Sequence, residues 1–534
     1  MICWFKKSIN LVFVIHLVLV VLIALEIIPR YFSFLILALD LAFILFRPLE
    51  DSLLLLARLI PFFIALPLTA NFDNFNMWRL VVGVLFLKWF FLKTYQLKIS
   101  RLNFLEVKEY LWENKEEMVV ILLFLISILS VFKANDISAA AKRIIYFINL
   151  GLLYLVVKNM LAQNSRLIKD ILGSFLFGAG AVAIIGVLQL VSAFALPFDV
   201  FHYFWAKQIQ FGFFGKNWSE IVFHANTWYS YSGAFLRLRM FSVFPDSHSF
   251  PIYLIFGLIS AFALFFEKTG ENITDKLSDL WRSHKSFFIK QSWLFFLLGF
   301  AIIFSQTRGI WLSLLVPIGW AVFFILKKIN PYTSGGVGIK SLFFSKILGL
   351  FLLSFILIFI INYALLILPQ FKVVSSGSGS AFLQRLLSIV DRGEISNLGR
   401  IEIWKSSFNS ILKNPALGVG IGNFPVALDQ SVGLAKAGSS AHNLFLTVVV
   451  ELGIFGGILF LIFWWLILKD AWLIFKKSSS FQKKAFGFFA AVFILWILSY
   501  SMTDAALFDE RAFLGLMVIL GVLGGTKKLV LKEI

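Results

Sequence analysis

The sequence is poor in charged residues for its length. Charged side chains make up 14% of the 534 residues, whereas soluble globular domains average about 25%. Hydrophobic residues make up 60%, and they form long apolar runs along almost the whole chain. Because a membrane-spanning helix needs roughly 20 apolar residues, these runs exclude a soluble enzyme and indicate a helical membrane protein.

Cysteine is almost absent, since Cys3 is the only one in the chain. A single thiol excludes a disulfide framework and a thiolate metal site. The histidines other than His442 show no metal-ligand spacing with carboxylates or cysteines; they are His16, His202, His224, His248 and His284. We therefore expect neither a metal nor another cofactor.

The formal net charge of +19 raises the question of nucleic-acid binding. Most Lys and Arg residues lie in short loops between apolar runs, as the positive-inside rule predicts for cytoplasmic loops. A nucleic-acid-binding protein would instead gather them on one soluble face. The charge therefore reflects membrane topology, and we expect contact with membrane lipid and none with nucleic acid.

The apolar runs predict an all-α, polytopic transmembrane helical bundle of about 14 spans. With the N-terminus in the cytoplasm, every basic loop falls on one side, so both termini are expected to be cytoplasmic. The spans are predicted at 9–28, 31–46, 52–70, 77–95, 118–132, 141–160, 168–197, 249–266, 292–305, 309–326, 344–367, 442–468, 485–503 and 511–525. The chain then divides into N-terminal transmembrane helices (1–197), an aromatic-rich outer loop (198–248), central transmembrane helices (249–367), a large outer loop with an amphipathic helix (368–441) and C-terminal transmembrane helices (442–534).

The first outer loop is dense in aromatic side chains, among them Trp205, Trp218 and Trp228. One interpretation is an interfacial belt that lies on the membrane surface. The other is a platform on which sugar rings or a polyprenyl chain rest. The sequence leaves both interpretations open.

The second outer loop contains a predicted helix. Asn397 is its candidate N-cap, which places Arg400 in the first turn, and apolar residues follow at spacings of three to four. Asn414 and Pro415 predict its end. The glycines that follow, from Gly418 onwards, permit a tight backbone path.

The most specific pattern is AHNLFLTVVVELGIFGG, in which His442 and Asn443 precede Gly453 and Gly456. It resembles the signature of the bacterial O-antigen ligase and polymerase family. Other stretches resemble segments of that family in the same order along residues 235–460. They are Arg239-Met-Phe-Ser-Val-Phe-Pro, Ser305-Gln-Thr-Arg308-Gly309, and Gly399-Arg400-Ile-Glu-Ile-Trp404 with Asn414-Pro415 to Gly420.

The chain departs from the family after Arg239. The family often has Gly before its turn, where this chain has Ser242. The family also often has an Asn-containing turn, where this chain has Asp246-Ser247-His248.

The resemblance implies a membrane glycosyltransferase that moves or polymerises a glycan from an undecaprenyl-diphosphate carrier onto a glycan or lipid-core acceptor. It implies that His442 activates or orients the acceptor hydroxyl and that Arg308, Arg400 and Arg239 bind the diphosphate. Guanidinium groups suit this task, because their donors match phosphate oxygens bidentately. Asn443, Gly453 and Gly456 would support the motif.

We expect His442 in the first turn of its helix, with Ser440 or Ser439 as N-cap. At the positive end of a helix the neutral imidazole is favoured, and a neutral imidazole can accept a proton from a sugar hydroxyl. The expected location is the bacterial cytoplasmic membrane, with the active site on its outer face.

Simpler interpretations exist for each of these residues. A histidine at a helix start is often structural, Arg239 can be a charge anchored at the membrane surface, and Gly453 and Gly456 can serve close helix packing. Asp40 with Arg58 is a candidate internal ion pair.

Other functions also remain open. The chain can instead be a transporter of lipid-linked glycans or small anions, which would place functional charges near mid-membrane and along both access routes. It can also be an inactive scaffold. Ligase and polymerase differ only in the acceptor, and the sequence does not separate them.

Overall fold

The protein is a bundle of long helices connected by loops and short helices. The computed structural model describes residues 7–96, 114–225, 227–232, 235–267, 293–329, 339–365, 370, 395–430 and 440–533. The α-helices of these segments are α1 (Lys7–Ala24), α2 (Ser33–Phe46), α3 (Leu49–Leu59), α4 (Trp78–Gln96), α5 (Lys115–Ser130), α6 (Ile137–Gln163), α7 (Leu167–Ala195), α8 (Phe198–Phe201), α9 (Gln210–Phe214), α10 (Lys216–Ala225), α11 (Ser249–Phe265), α12 (Trp293–Phe304), α13 (Arg308–Ser313), α14 (Leu315–Ile329), α15 (Ile339–Leu365), α16 (Ile395–Lys413), α17 (Leu444–Lys477), α18 (Phe481–Tyr500) and α19 (Glu510–Glu533).

Strands and other helix types are few in the described segments. Two antiparallel hairpins are present, β1 (Ala65–Leu66) with β2 (Phe75–Asn76) and β3 (Tyr229–Ser232) with β4 (Phe235–Leu238). A π-helical stretch lies between α8 and α9. Short 3₁₀ helices occupy Arg30–Phe32, Ile60–Phe62, Val131–Lys133, Phe424–Leu428 and Ala506–Phe508. The predicted all-α class is therefore confirmed, with two small hairpins added.

Seven described helices are long and apolar enough to cross a membrane. They are α1, α6, α7, α17, α18, α19 and the Ile347–Leu365 part of α15. Two shorter apolar helices, α11 and α12, lie among them. These helices make the chain a multi-pass membrane protein, and the number of about 14 spans stays a prediction.

Helix α11 is the centre of the bundle, because every residue from Ser249 to Phe265 is buried. It packs against α7, α18 and α19. A helix that is apolar on all sides needs such surroundings. The residues directly before it are therefore held at one end of the bundle core.

The predicted span 52–70 is not one helix. Helix α3 ends at Leu59, and the 3₁₀ turn that contains Pro61 leads into β1. Proline has no backbone N–H and disrupts a continuing α-helix. At 11 residues and 1.5 Å per residue, α3 is too short to cross a bilayer by itself.

The candidate ion pair of Asp40 with Arg58 is wrong. Asp40 instead lies 3.0 Å from His16 Nδ1, and Arg58 donates a 2.5 Å hydrogen bond to Asn10. All of these residues except Asn10 are deeply buried, so Asp40 still has a polar partner within the bundle.

The predicted outer loops contain ordered secondary structure in their described parts. Residues 198–248 form α8 to α10, the β3–β4 hairpin and a buried turn that leads into α11. In the second loop, α16 ends at Lys413 and confirms the stop predicted at Asn414 and Pro415. Residues 371–394 and 431–439 lie outside the described residues. The predicted basic loop from Lys268 to Lys290 also lies outside them, as do residues 98–113 of the predicted basic loop from Lys98 to Lys115.

Candidate functional site

Charged and polar side chains from distant parts of the chain meet at one end of the bundle. Asp504 interacts electrostatically with His248, His442 and Arg400. Arg239 interacts with Arg308, Asp504 and Asp246. These electrostatic interactions show that the fold brings the four residues that the sequence singled out, Arg239, Arg308, Arg400 and His442, into one region. The fold also adds partners that the sequence did not reveal.

His248 and Asp504 form the best-defined contact of this cluster. The imidazole Nδ1 lies 3.1 Å from Asp504 Oδ2 and 2.9 Å from the Tyr500 hydroxyl. His248, Arg400 and His442 hold the pKa of Asp504 well below its usual range, against the opposing effect of burial. Asp504 is therefore ionised and can accept hydrogen bonds from its neighbours.

Arg239 follows β4 and enters the buried turn before α11. Its backbone N–H donates to Trp228 O at 2.8 Å, which fixes the chain on the β3–β4 hairpin. One guanidinium nitrogen lies 3.4 Å from His248 Nε2. Burial and the neighbouring Arg308 lower the pKa of Arg239 from its ordinary value, so its cation has lost hydration.

The turn after Arg239 explains one departure from the family pattern. Ser242 adopts φ 55°, a left-handed conformation that glycine tolerates best. Its N–H donates to Gln189 Oε1 at 3.0 Å, and its hydroxyl donates to Val182 O at 2.7 Å. These hydrogen bonds to α7 hold a serine where the family often has glycine.

Arg308 begins α13 directly after Thr307, whose side chain is tied to the same turn. The Thr307 hydroxyl donates to Ser247 O at 2.7 Å. A Cβ on Gly309 would lie 2.6 Å from Thr503 Oγ1 and 2.8 Å from the Tyr500 ring. Gly309 therefore allows the helix that carries Arg308 to pack closely on the end of α18.

Arg400 lies in the second turn of α16, because the helix already begins at Ile395. Asn397, the predicted N-cap, therefore lies within the helix and not before it. One turn after Arg400, Trp404 Nε1 donates to Ala441 O at 2.8 Å. Residues i and i+4 share a helix face, so this bond orients Arg400 toward the segment that contains His442.

His442 lies outside its helix, contrary to the prediction. The N-cap of α17 is Asn443, whose side chain accepts from Leu446 N at 3.0 Å. Ser440 is not the cap, and its hydroxyl accepts from His442 N at 3.3 Å. His442 itself adopts φ 47°. Only the short side chain of Asn443 reaches the first turn, so the motif's asparagine is the capping residue and its histidine precedes the helix.

The imidazole of His442 is held close to cations and to one carboxylate. Burial, Arg400 and His248 lower the pKa of His442 below its ordinary value, and Asp504 opposes them. The segment is fixed to the end of α18, since Leu444 N donates to Ser501 O at 2.7 Å. His442 is therefore a neutral imidazole at neutral pH.

Gly453 marks a kink in α17, with φ 72° and ψ −177°. Because the helix is interrupted there, backbone groups of α17 form hydrogen bonds with the segment that follows α16. Val419 N donates to Val450 O at 2.9 Å, and Ile454 N donates to Pro415 O at 2.8 Å. A Cβ on Gly453 would lie 2.2 Å from Ala416 O. This motif glycine joins the two segments that carry Arg400 and His442. Gly456 has a tight neighbour only within α17, at Leu452.

The sequence interpretation missed His248, Tyr500 and Asp504. In the sequence, His248 stands out only in the comparison of histidine spacings and in the Asp246-Ser247-His248 departure from the family pattern. Asp504 carries a detectable signal, because it is an acid directly after the apolar run of α18, on the side predicted for the motif residues. Within the described residues, no three His, Cys, Asp or Glu side chains are arranged to hold a metal ion.

The fold and this cluster define an all-α, multi-pass membrane protein with arginines and histidines grouped at one end of the bundle. Residues 293–461 match the family described as O-antigen ligase. The match supports assignment to the O-antigen ligase/polymerase family, as the His442 motif predicted. The match to this family indicates glycan transfer in polysaccharide biosynthesis. No curated protein matches the chain significantly.

Proposed function

We propose that the protein transfers a glycan from undecaprenyl diphosphate to the hydroxyl group of a glycan or lipid acceptor, as a ligase or a polymerase. The single observation that carries this proposal is the convergence of Arg239, Arg308 and Arg400 with His442 at one end of the bundle. Guanidinium groups bind diphosphate oxygens, and the imidazole supplies a base. The O-antigen ligase match fits the same chemistry.

The proposed reaction is a displacement at the anomeric carbon. The acceptor oxygen bonds to that carbon from the face opposite the diphosphate. The bond from the carbon to the diphosphate oxygen breaks, and its electron pair stays on the leaving oxygen. The acceptor proton passes to His442, which is neutral and able to accept it. The arginines neutralise the leaving diphosphate, and no nucleotide is required.

We propose that the site faces the outer side of the cytoplasmic membrane and that both termini are cytoplasmic. The site residues lie at the starts of α11, α13 and α17 and at the end of α18. Lysines lie at the opposite ends of the long helices, for example Lys476 and Lys477 in the last turn of α17. The positive-inside rule places such lysines in the cytoplasm.

The test is transfer in vitro with purified protein, an undecaprenyl-diphosphate glycan and candidate glycan or lipid acceptors. We expect His442→Ala and Arg400→Ala to lower release of undecaprenyl diphosphate by about 100-fold or more. His202→Ala is the matched control, because His202 bonds Tyr229 outside the cluster, and it should retain the rate.

Release that neither site variant changes would refute the assigned roles. Movement of intact lipid-linked glycan across the membrane of vesicles that contain the protein, without release of undecaprenyl diphosphate, would instead identify a transporter.

A further inference from the structure

We propose that His248 is a positioning residue that aims the Arg239 guanidinium at the donor's diphosphate. This inference rests on the proposed function and extends it to a residue outside the matched family region. It concerns a position where the chain departs from the family pattern, at Asp246-Ser247-His248.

The two neighbours of His248 select the same protonation state. Arginine only donates hydrogen bonds, so Nε2, 3.4 Å from the Arg239 guanidinium, must present its lone pair. A neutral imidazole then carries its proton on Nδ1. Nδ1 lies 3.1 Å from the Asp504 carboxylate, which accepts that proton's hydrogen bond. The Tyr500 hydroxyl at 2.9 Å is a second acceptor for Nδ1–H.

Arg239 depends on this imidazole for its orientation. Within the described residues, no carboxylate lies within ion-pair distance of Arg239, and its Nε is buried without a hydrogen-bond partner. Arg308 adds a like charge nearby. A guanidinium that has lost hydration and has one buried, unsatisfied donor fits an incoming anion. The bond to Nε2 fixes one nitrogen and leaves the others for that anion.

The backbone under His248 is rigid enough for this role. Asp246 Oδ1 accepts from His248 N at 2.8 Å and from Ser249 N at 2.6 Å, which caps the central helix α11. The hydroxyl of Ser247 donates to Thr227 O at 2.8 Å, and Ser247 O accepts from Thr307. The turn is thus tied to the segment just before β3 and to the residue that precedes the helix of Arg308.

Two substitutions of His248 test the roles of its two ring nitrogens separately. His248→Gln places an acceptor oxygen near the position of Nε2 and loses the Nδ1 donor. His248→Asn places an amide donor near the position of Nδ1 and loses the acceptor for Arg239. If His248 acts through Arg239, the glutamine variant retains more function than the asparagine variant.

The readouts are donor kinetics and diphosphate binding by the full-length protein in detergent. We expect His248→Asn to raise the donor KM about tenfold with the acceptor KM unchanged, and His248→Gln to restore most of this loss. Binding of farnesyl diphosphate, measured by calorimetry, should weaken in the same order. His202→Gln and His202→Asn are the controls, because His202 Nδ1 also lies 3.0 Å from a tyrosine hydroxyl.

The opposite order, with asparagine better than glutamine, would show that His248 serves Asp504, and it would overturn the proposal. Equal loss or no loss in both variants would also overturn it. Failure of the proposed function would look different. The wild type and the two variants would then bind farnesyl diphosphate in the expected order of affinity, and the wild type would transfer no glycan.

Discussion

The charged side chains of the site control one another's protonation. Arg400 and His248 lower the pKa of His442, and Asp504 raises it. Asp504 in turn is kept ionised by His248, His442 and Arg400. The lowered pKa of His442 favours the neutral form, and a base must be neutral to accept the acceptor's proton. The cluster therefore keeps the proposed base active to a lower pH than a free histidine would be.

The pH dependence of transfer tests this coupling. We expect the acid limb of the wild-type rate to have a midpoint below about 6.5, the ordinary value for histidine. Arg400→Gln removes a cation and should move the midpoint of its residual rate upward. Asp504→Asn removes the anion and should move it downward. Shifts of both variants in the same direction would contradict the assignment of this limb to His442.

Asp509 is the residue directly before α19, and its carboxyl group is buried. Its carboxylate accepts from Arg511 N at 3.0 Å and from Ala512 N at 3.3 Å. Burial and the nearby Asp246 raise the pKa of Asp509 to about 7. A folded-state pKa above the unfolded value means that folding takes up a proton. The stabilisation is complete below the unfolded pKa, about 3.9, and is lost as pH rises through about 7.

Asp509→Asn keeps an oxygen acceptor for the helix cap and removes the charge. We expect this variant to have a higher Tm than the wild type at pH 8 and a Tm that changes less between pH 5 and pH 8. A lower Tm at pH 8 would show that the ionised carboxylate stabilises the fold, contrary to the direction inferred here.

At the scale of helices, the kink at Gly453 connects the two motif segments. Gly453→Ala places a Cβ 2.2 Å from Ala416 O at φ 72°, and both effects oppose the folded state. We expect destabilisation by about 1–3 kcal/mol or more and loss of transfer, because the segments of Arg400 and His442 separate.

Gly151→Ala in α6 is the matched control, since a Cβ there meets nothing within 4 Å. Alanine in a helix interior should be neutral or stabilising by about 0.5–1 kcal/mol. A Gly453→Ala protein as stable and as active as Gly151→Ala would refute a structural need for the kink.

Trp404 allows a milder test of the same arrangement. Trp404→Phe removes the hydrogen bond to Ala441 O and keeps an aromatic ring in the small core around Ala441. We expect Trp404→Phe to lower the free energy of unfolding by about 0.5–1.5 kcal/mol. We also expect the transfer rate to fall by more than the small fall in Tm would account for. Phe408→Leu is the control on the exposed face of α16. Equal effects of the two variants on transfer would contradict a link from Trp404 to His442.

Sequence patterns predict the elements with strong apolar runs and miss the places where tertiary contacts decide. The stop of α16 at Asn414 and Pro415 is local, because proline restricts its own neighbour. The break after α3 was missed although Pro61 is visible, since the apolar run continues through it. The N-cap of α17 was misassigned because serine, asparagine and histidine all lie within the same few residues, and the docking on Ser501 decides between them.

The candidate site divides in the same way. Arg308, Arg400 and His442 are predicted as site residues because they belong to recognisable segments. His248 and Asp504 were missed because their contact joins residues far apart in the chain, and neither has a local pattern that reveals the other. The contact is a product of packing α11 against α18.

At the scale of the whole molecule, a second charged cluster lies at the opposite end of the helices. Lys527 Nζ lies 2.9 Å from both Glu116 and Asp470, and Lys158 Nζ lies 2.5 Å from Glu117. Lys527 lies 17 residues after Glu510, the first residue of α19. This spacing corresponds to roughly 25 Å along the helix axis, so Lys527 lies at the other end of α19 from the site. This far-end cluster joins α5, α6, α17 and α19 without touching the site.

The far-end cluster yields a prediction that separates stability from chemistry. Lys527→Met leaves two buried carboxylates without their shared cation, and breaking a buried ion pair costs about 3–5 kcal/mol. We expect a marked fall in Tm, measured in detergent, while the folded fraction keeps its rate of transfer. Lys216→Met is the control, because Lys216 forms an exposed pair with Glu220 and exposed pairs contribute little. If Lys527→Met abolished transfer by protein that is still folded, the two ends of the bundle would be coupled, and the far-end cluster would have a role beyond holding four helices together.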